Sequence, residues 1–356
     1  MKSITIRNKK LKIPIIQGGM GIGVSLANLA KSVMENGGVG VISAAQPGFS
    51  KENFLKNTNQ ANYDALIAEM KEAKAHTDKG LLGVNIMVAI CDYDNMVKAS
   101  VEGGADIIIS GAGIPLNLPA LTEGHDIALA PIVSSSKVAQ MICKKWDRTY
   151  NCIPDMIIIE GPEAGGHLGY KIDELTSIKL ETILKETLEV IKPFEEKYNY
   201  KIPIFVAGGI HNGSDIAKMI KLGASGVQMG TRFITTIEAD CHDNFKQAIV
   251  DSKKEDIVIV KSPVGMPGRA LLTPLIKKLQ TDNIPIVNCY NCLTPCNPAT
   301  TPYCISDALI ASVKGDIENG LFFCGSNAYK IDKITTVKQL INELVEQTNN
   351  YLKDAK

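Results

Sequence analysis

Short apolar runs rich in β-branched residues recur along the chain, and segments with the periodicity of amphipathic helices separate them. Each run is continuous rather than alternating, which is typical of parallel strands covered on both faces. The pattern predicts eight strands, at Ile13–Gln17, Val39–Ala44, Leu81–Met87, Ala105–Ser110, Ile127–Val133, Met156–Glu160, Ile202–Ala207 and Gly226–Gly230. It predicts helices at Ser25–Asn36, Tyr93–Glu102, Ser135–Trp146, Ile178–Ile191, Ser214–Lys221 and Ala239–Val250.

Eight β–α units within about 250 residues favour an α/β fold of the (β/α)8 TIM-barrel type. A doubly wound sheet is the alternative, but it rarely needs eight strands at this spacing. The rhythm stops after Asp256, and residues 331–353 predict a closing amphipathic helix capped by Thr335 or Thr336. We therefore predict a ligand-binding barrel over residues 1–256. Residues 257–356 would form an appendage over its mouth, with a cysteine cluster and the closing helix.

Composition restricts the classes of partner. Of the 356 residues, 45% are hydrophobic, enough for a sizeable core, and Lys+Arg equals Asp+Glu at 38 each. No net charge therefore favours nucleic acid or an anionic membrane. No apolar run approaches the roughly 18 residues of a membrane span, and the N-terminus shows no signal peptide. With nine cysteines and no secretion signal, we expect a protein of the reducing cytoplasm. The expected partner is a small-molecule substrate rather than nucleic acid or a membrane. A monomer and a homodimer both remain open.

Glycine-rich segments lie at or directly after the C-terminal ends of six predicted strands, where a barrel builds its active site. They are QGGMG, GVNIM, SGAG, EGPEAGGH, AGGI and MGTRF. The loops after strands seven and eight of a barrel often bind phosphate through free N–H groups and a helix dipole. The segments therefore predict a flat or phosphorylated ligand, with tight βα turns as the alternative. Neither GxxxxGK[ST] nor a Rossmann-spaced GxGxxG occurs, so the sequence does not indicate an ATPase or a separate dinucleotide domain.

One histidine, His167, stands in the glycine-rich loop after the predicted sixth strand. Glycine lets the backbone approach a ligand closely, and imidazole titrates near neutrality, so His167 is a candidate for chemistry. A solvated turn is the alternative. Glu160 and Glu163 lie on either side of the loop, and we assign neither an acid–base role. The other histidines lack the spacing of metal ligands and are expected at the surface or at helix ends: His76, His125, His211 and His242.

Five motifs in order carry a family resemblance. IPIIQGGMG, GVNIM, EGPEAGGHLG, VAGGI and GVQMGTRF resemble the nitronate monooxygenase (2-nitropropane dioxygenase) family and the closely related flavin-dependent enoyl-acyl carrier protein reductases. The similarity covers roughly residues 10–275, and the ordered combination is specific although each piece is weak. The resemblance implies a TIM barrel with FMN bound noncovalently at its C-terminal face.

The resemblance also implies site residues. Gly19, Met20 and Gly21 would line the flavin, Asn85 would hydrogen-bond it, and Gly165 and Gly166 would run along its side. The phosphate would be held by Gly208, Gly209, Gly230 and Thr231, with Gln228 nearby and with Ala207 and Met229 in the same motifs. His167 corresponds to the family's active-site histidine. It would remove the α-proton of a nitroalkane or orient a preformed nitronate.

The implied function is an FMN-dependent nitronate monooxygenase. The alternative is an NAD(P)H-dependent reductase of an enoyl thioester, in which case NAD(P)H is a second cofactor. A flavin-binding regulatory protein is a third hypothesis. Arg269 stands where related proteins have a basic residue. We expect it either to contact the substrate or to lie at the start of a helix.

The cysteine-rich segment CYNCLTPCNPATTPYC departs from the usual pattern of the family. Cys289, Cys292, Cys296 and Cys304 have the spacing C-x2-C-x3-C-x7-C. Four such thiolates can hold an iron–sulfur cluster, for which [4Fe-4S] is our leading hypothesis, or zinc. Reduced cysteines without metal are the third possibility. Cys304 precedes a predicted helix, whose N-terminus would lower the thiol pKa. The remaining cysteines are expected to be small buried hydrophobes: Cys91, Cys143, Cys152, Cys241 and Cys324.

Overall fold

The barrel is confirmed in a computed structural model that describes residues 1–263 and 265–353. Eight parallel strands form the barrel: β3 (Ile15–Gln17), β4 (Val39–Ser43), β5 (Leu81–Met87), β6 (Ile107–Gly111), β7 (Ala128–Val133), β8 (Ile157–Glu160), β10 (Ile204–Ala207) and β11 (Gly226–Met229). They close on themselves in the order β10, β11, β3, β4, β5, β6, β7, β8. All eight coincide with predicted strands to within about two residues at each end.

Burial on both faces explains why the strand sequences are continuously apolar. Alternate residues such as Val41, Ile109 and Phe205 fill the barrel interior, whereas their neighbours pack against the outer helices. The helix layer lies very close to the sheet. A Cβ atom on Gly40 would stand 2.0 Å from the backbone oxygen of Ala30 on the first helix, so glycine is required there.

Twelve α-helices occur among the described residues. They are α1 (Ala27–Glu35), α2 (Thr58–Ala75), α3 (Tyr93–Glu102), α4 (Leu118–Leu121), α5 (Ser136–Tyr150), α6 (Leu180–Tyr198), α7 (Gly213–Lys221), α8 (Thr231–Ile234), α9 (Asp243–Val250), α10 (Pro274–Lys278), α11 (Ile305–Val313) and α12 (Val337–Lys353). All six predicted helices are present. The sequence pattern did not predict α2, whose buried face includes Ala61, Ala65 and Ala73 and therefore gives a weak apolar signal.

A short N-terminal hairpin covers the end of the barrel at which the strands begin. Strands β1 (Ile4–Ile6) and β2 (Lys9–Leu11) pair antiparallel. Ile6 and Leu11 join the apolar interior of the barrel, and Arg7 forms ion pairs with Asp126 and Asp155, just before β7 and β8. The hairpin was not predicted, because strands of three residues leave little periodicity to detect.

The first part of the predicted appendage lies over the barrel mouth. Strands β12 (Ile257–Lys261) and β13 (Pro267–Leu271) form a hairpin, and β13 also pairs with β9 (Gly166–His167), the two-residue strand in the loop after β8. The loop that carries His167 is therefore part of a three-stranded sheet. The division of the chain at residue 256 itself remains a prediction.

The closing helix does not lie over the mouth. Helix α12 packs against α7 and α1, and it thereby fills the position in the outer ring between the units of strands β10 and β3. Its predicted cap is confirmed, because the Oγ1 atom of Thr336 accepts a hydrogen bond from the N–H of Gln339 at 3.1 Å. Over the part of the chain that the structure describes, none of the helices is both long and apolar enough to cross a membrane.

The contact at Gly40 gives a test of the layer packing. We expect Gly40→Ala to lower the free energy of unfolding by about 1–3 kcal/mol, the usual range for overpacking, as measured by chemical denaturation. Gly18→Ala is the matched control, because its Cβ would meet Gln228 at an ordinary 3.4 Å. Equal effects of the two substitutions would contradict the close approach of α1 to the sheet.

Candidate active site

A cavity of about 510 Å³ opens at the C-terminal ends of the strands. His167 and all thirteen residues predicted for cofactor contact line it, from Gly19 after β3 to Thr231 after β11. The parallel strands place these separate motifs on one rim, as the barrel architecture predicts. The structure thus brings the whole predicted set together.

The glycines of the cavity serve two different purposes. At Gly19 and Gly208 the fold itself requires glycine. A Cβ at Gly19 would stand 2.3 Å from that of Asn85, and the backbone at Gly208 has a φ of +92°, which favours glycine. At Gly230 a Cβ would meet only Met20, at 3.5 Å or more, and its φ is −105°. Gly230 therefore keeps space in the cavity free rather than relieving a contact within the fold.

One end of the cavity offers a group of backbone donors. Within residues 1–263 and 265–353, the N–H groups of Gly208, Gly209 and Gly230 have no hydrogen-bond acceptor. The chain near residues 325–327 fixes the surrounding loops. Asn327 donates its side-chain amide to the oxygen of Gly209 at 2.7 Å, and the N–H of Gly325 donates to Oγ1 of Thr231 at 2.9 Å. The sequence did not predict this late segment as part of the site, because no motif marks it.

The floor of the cavity carries two polar side chains at one level of the barrel. Glu160, Ala207 and Gln228 are in register on neighbouring strands β8, β10 and β11. Gln228 is 8% exposed, and its Oε1 atom has no hydrogen-bond partner among the described residues, so an N–H donor of a ligand would satisfy it. Burial raises the pKa of Glu160 to about 7. This carboxyl is then available in its protonated form near neutrality, a property the sequence did not reveal.

His167 is held on both sides by residues far away in the sequence. Its Nε2 atom is hydrogen-bonded to Oγ of Ser262 at 2.7 Å, and its ring meets that of Phe323 edge-on with centroids 5.2 Å apart. Burial lowers the pKa of His167 to about 4, so the ring is neutral at pH 7. No described residue bonds Nδ1, which leaves that nitrogen for a ligand. The alternative of a solvated turn is therefore wrong.

Arg269 supports the loop of His167 from behind. It lies in β13, is 8% exposed, and its guanidinium donates a hydrogen bond to the oxygen of Ala164. It is not among the residues that line the cavity. Neither expectation for this residue holds: Arg269 contacts the active-site loop rather than a position open to substrate, and it belongs to a strand rather than to a helix start.

The predicted metal centre is not supported. Over the described ranges, no group of three or more His, Cys, Asp or Glu side chains could hold a metal ion. Cys289 is exposed, whereas Cys292, Cys296 and Cys304 are partly buried, and all are free. Cys304 does precede helix α11, but burial raises its pKa to about 12. Desolvation therefore outweighs the helix N-terminus, and the expected lowering of this pKa was wrong.

The remaining predictions for cysteine and histidine are mixed. Cys143, Cys241 and Cys324 are buried as expected, Cys152 is partly so, and Cys91 is exposed, which is a correction. His76, His125 and His242 are exposed, and His242 caps α9 by accepting from the N–H of Asn244. His211 stands just before α7, as a helix-end residue, but it also lines the cavity.

Comparison with known proteins identifies the family of the chain. A model of the nitronate monooxygenase family matches residues 2–347. The chain therefore belongs to the nitronate monooxygenase family.

Two relatives and one solved structure share 27% or 28% sequence identity with this chain. A protein of Staphylococcus saprophyticus named probable nitronate monooxygenase is 28% identical over 310 residues, which cover 80% of this chain and 83% of that protein. A Mycobacterium tuberculosis enzyme, (3aS,4S,5R,7aS)-5-hydroxy-7a-methyl-1-oxo-octahydro-1H-indene-4-carboxyl-CoA dehydrogenase, is 27% identical over 268 residues, 75% of this chain. The chain spans 65% of that enzyme's length. The solved structure of FabK from Thermotoga maritima matches with a TM-score of 0.75 and 28% identity, covering 96% of this chain and 94% of that one.

The burial of the cysteines predicts their reactivity. In the native protein, Cys91 and Cys289 should react rapidly with a chromogenic disulfide reagent, whereas Cys143, Cys241 and Cys324 should react only after unfolding. Peptide mapping by mass spectrometry would assign the labelled positions. A chelator should leave the labelling of Cys289 unchanged. A labelling rate that rises on chelation would contradict the metal-free interpretation of the cysteine segment.

Proposed function

We propose that the protein is an FMN-dependent nitronate monooxygenase that oxidises alkyl nitronates or nitroalkanes. The observation that carries the proposal is His167, a neutral imidazole held by Ser262 at the wall of a glycine-lined cavity. Membership of the nitronate monooxygenase family supports the same reaction class.

The cavity fits FMN by three features. Its volume of about 510 Å³ lies within the usual range for cofactor sites. The free N–H groups of Gly208, Gly209 and Gly230 suit a phosphate, and the unpaired Oε1 atom of Gln228 suits an N–H donor of the flavin ring. When bound, FMN supplies the electron-accepting and oxygen chemistry. The protein supplies position and electrostatics.

His167 would move the proton. With Nε2 hydrogen-bonded to Ser262, the imidazole can keep its proton on that nitrogen and accept the α-proton of a nitroalkane at Nδ1. Phe323 holds the ring plane and excludes water from one side. If the substrate arrives as a nitronate anion, no proton has to be removed, and the same histidine orients the substrate.

A second candidate function is the reduction of an enoyl thioester with NAD(P)H. Glu160 is the specific observation that favours it, because a carboxyl with a pKa of about 7 can supply the proton that the enolate requires after hydride addition to the enoyl thioester. The likeness to FabK agrees with this alternative. Stopped-flow spectroscopy of the flavin separates the two. Rapid bleaching by NADH or NADPH supports the reductase, whereas bleaching by a nitronate with no response to either nucleotide supports the monooxygenase.

The cofactor proposal can be tested at Gly230. We expect Gly230→Val to purify without stoichiometric FMN, because its side chain would occupy space that the fold itself leaves free. Flavin absorbance after heat release measures the content. The melting temperature of FMN-free protein is the control, and it should stay close to that of FMN-free wild type. Full retention of FMN in this variant would show that the phosphate binds elsewhere.

The base proposal can be tested at His167. His167→Asn should retain FMN but slow the oxidation of neutral nitroalkanes by roughly 10²–10⁴, the usual cost of losing a general base. Oxidation of preformed nitronates should fall much less. His242→Asn is the control, because His242 is exposed and its capping role suits asparagine equally well. Equal losses on both kinds of substrate would indicate orientation alone.

The same proposal predicts a pH dependence. Because burial lowers the pKa of His167 to about 4, its basic form is fully present at pH 7 and is lost only as the pH falls through about 4. The kcat/KM for a neutral nitroalkane should therefore be level near neutrality and should decline on the acid side. A decline centred near the ordinary histidine pKa of about 6.5 would show that the ring is not desolvated during catalysis.

A further inference from the structure

A second, smaller cavity of about 60 Å³ adjoins the first on the side of the cysteine segment. Ala45, Met87, His167 and Leu309 line both cavities. The candidate base therefore stands at the boundary, with the glycine-lined cavity on one side and the smaller cavity on the other. A substrate whose reacting carbon lies at His167 can extend its remaining atoms into this space.

The walls of the second cavity are mostly apolar and come from two parts of the chain. Ile22 and Ile90 lie on the barrel side, and Leu293 and Ile305 close it from residues 290–309. Backbone contacts tie the two sides together: Ile90 and Leu293 form an antiparallel bridge, and the N–H of Thr294 donates to the oxygen of Ala89 at 2.9 Å. The cavity is thus a fixed feature of the fold.

Two of the polar lining residues, Asn62 and Gln46, are hydrogen-bonded to each other. Asn62 donates to Oε1 of Gln46 at 3.1 Å and accepts from the N–H of Gly48 at 3.0 Å. Of the described residues that line this cavity, Asp92 is the only acidic or basic one apart from His167. No lysine or arginine among them would attract an anionic group, and Asp92 would repel it. The chemistry therefore favours an uncharged hydrocarbon.

We propose that the second cavity holds the hydrocarbon chain of the substrate, so that the preferred substrates are nitronates whose apolar chain is long enough to enter this cavity. This inference rests on the nitronate monooxygenase function proposed above. One water needs roughly 10–15 Å³ of cavity volume, so a cavity of about 60 Å³ is large enough for a short chain of a few carbon atoms. Longer chains emerge past Asn59, an exposed residue of α2 at the edge of the cavity.

The experiment measures kcat/KM for the nitronates of nitroethane, 1-nitrobutane and 1-nitrohexane with the FMN-loaded enzyme. Each added methylene that enters the cavity should raise kcat/KM by about threefold to fourfold, the usual value for burying such a group, until the cavity is full. Asn59→Trp places a large side chain at the edge of the cavity and should lower the hexyl-to-ethyl ratio of kcat/KM about tenfold. Gln60→Trp is the matched control, because Gln60 is an exposed neighbour on α2 that does not line the cavity.

The outcomes separate the two proposals. A rise with chain length that Asn59→Trp reduces and Gln60→Trp preserves supports the chain site. Turnover that does not depend on chain length, or an equal change in both tryptophan variants, overturns the chain site and leaves the monooxygenase function intact. Absence of turnover with every nitronate overturns the proposed function, and the chain site with it.

Discussion

The pairing of β9 with β13 is the contact on which the active site depends. The loop after β8 contains four glycines, so by itself it would have little preference for one conformation. In the structure its residues Gly166 and His167 add a strand to the hairpin of residues 257–271, and Arg269 anchors the preceding turn through Ala164. The entropy cost of ordering this loop is thus offset by a hairpin from a distant part of the sequence. The barrel positions this loop at the rim, and the hairpin of residues 257–271 fixes the conformation of the loop.

Burial then acts on two titratable groups in opposite directions. Desolvation disfavours the charged form of any side chain, so the same environment lowers the pKa of His167 and raises that of Glu160. The cavity therefore presents a neutral imidazole and a carboxyl that is half-protonated near neutrality. The imidazole of His167 can accept a proton, and the carboxyl of Glu160 can donate one. This pairing is compatible with either of the two proposed reactions.

The sequence predicted the barrel and the residues that line its mouth, because both depend on local signals. Continuous apolar runs identify the parallel strands, and the glycine motifs at their ends necessarily meet on one rim. What the sequence missed depends on long-range contacts. Ser262 and Phe323 contact His167 from positions 95 and 156 residues later, in segments without periodicity or motif. Helix α2 and the short hairpin of β1 and β2 escaped prediction because alanine-rich or very short elements give weak patterns.

The metal centre predicted for the cysteine segment rests on spacing alone and is not supported by the side-chain positions. C-x2-C spacing places two thiols near one turn, but a metal centre also needs all ligands to face one point and to be ionised. Here burial raises the pKa of Cys292 and Cys304, which favours neutral thiols. Cys292 and Cys296 instead pack with Leu293, Tyr303 and Ile305 in a small apolar cluster. In that setting a cysteine behaves as a small hydrophobe. The segment closes the space beside His167 through its packing.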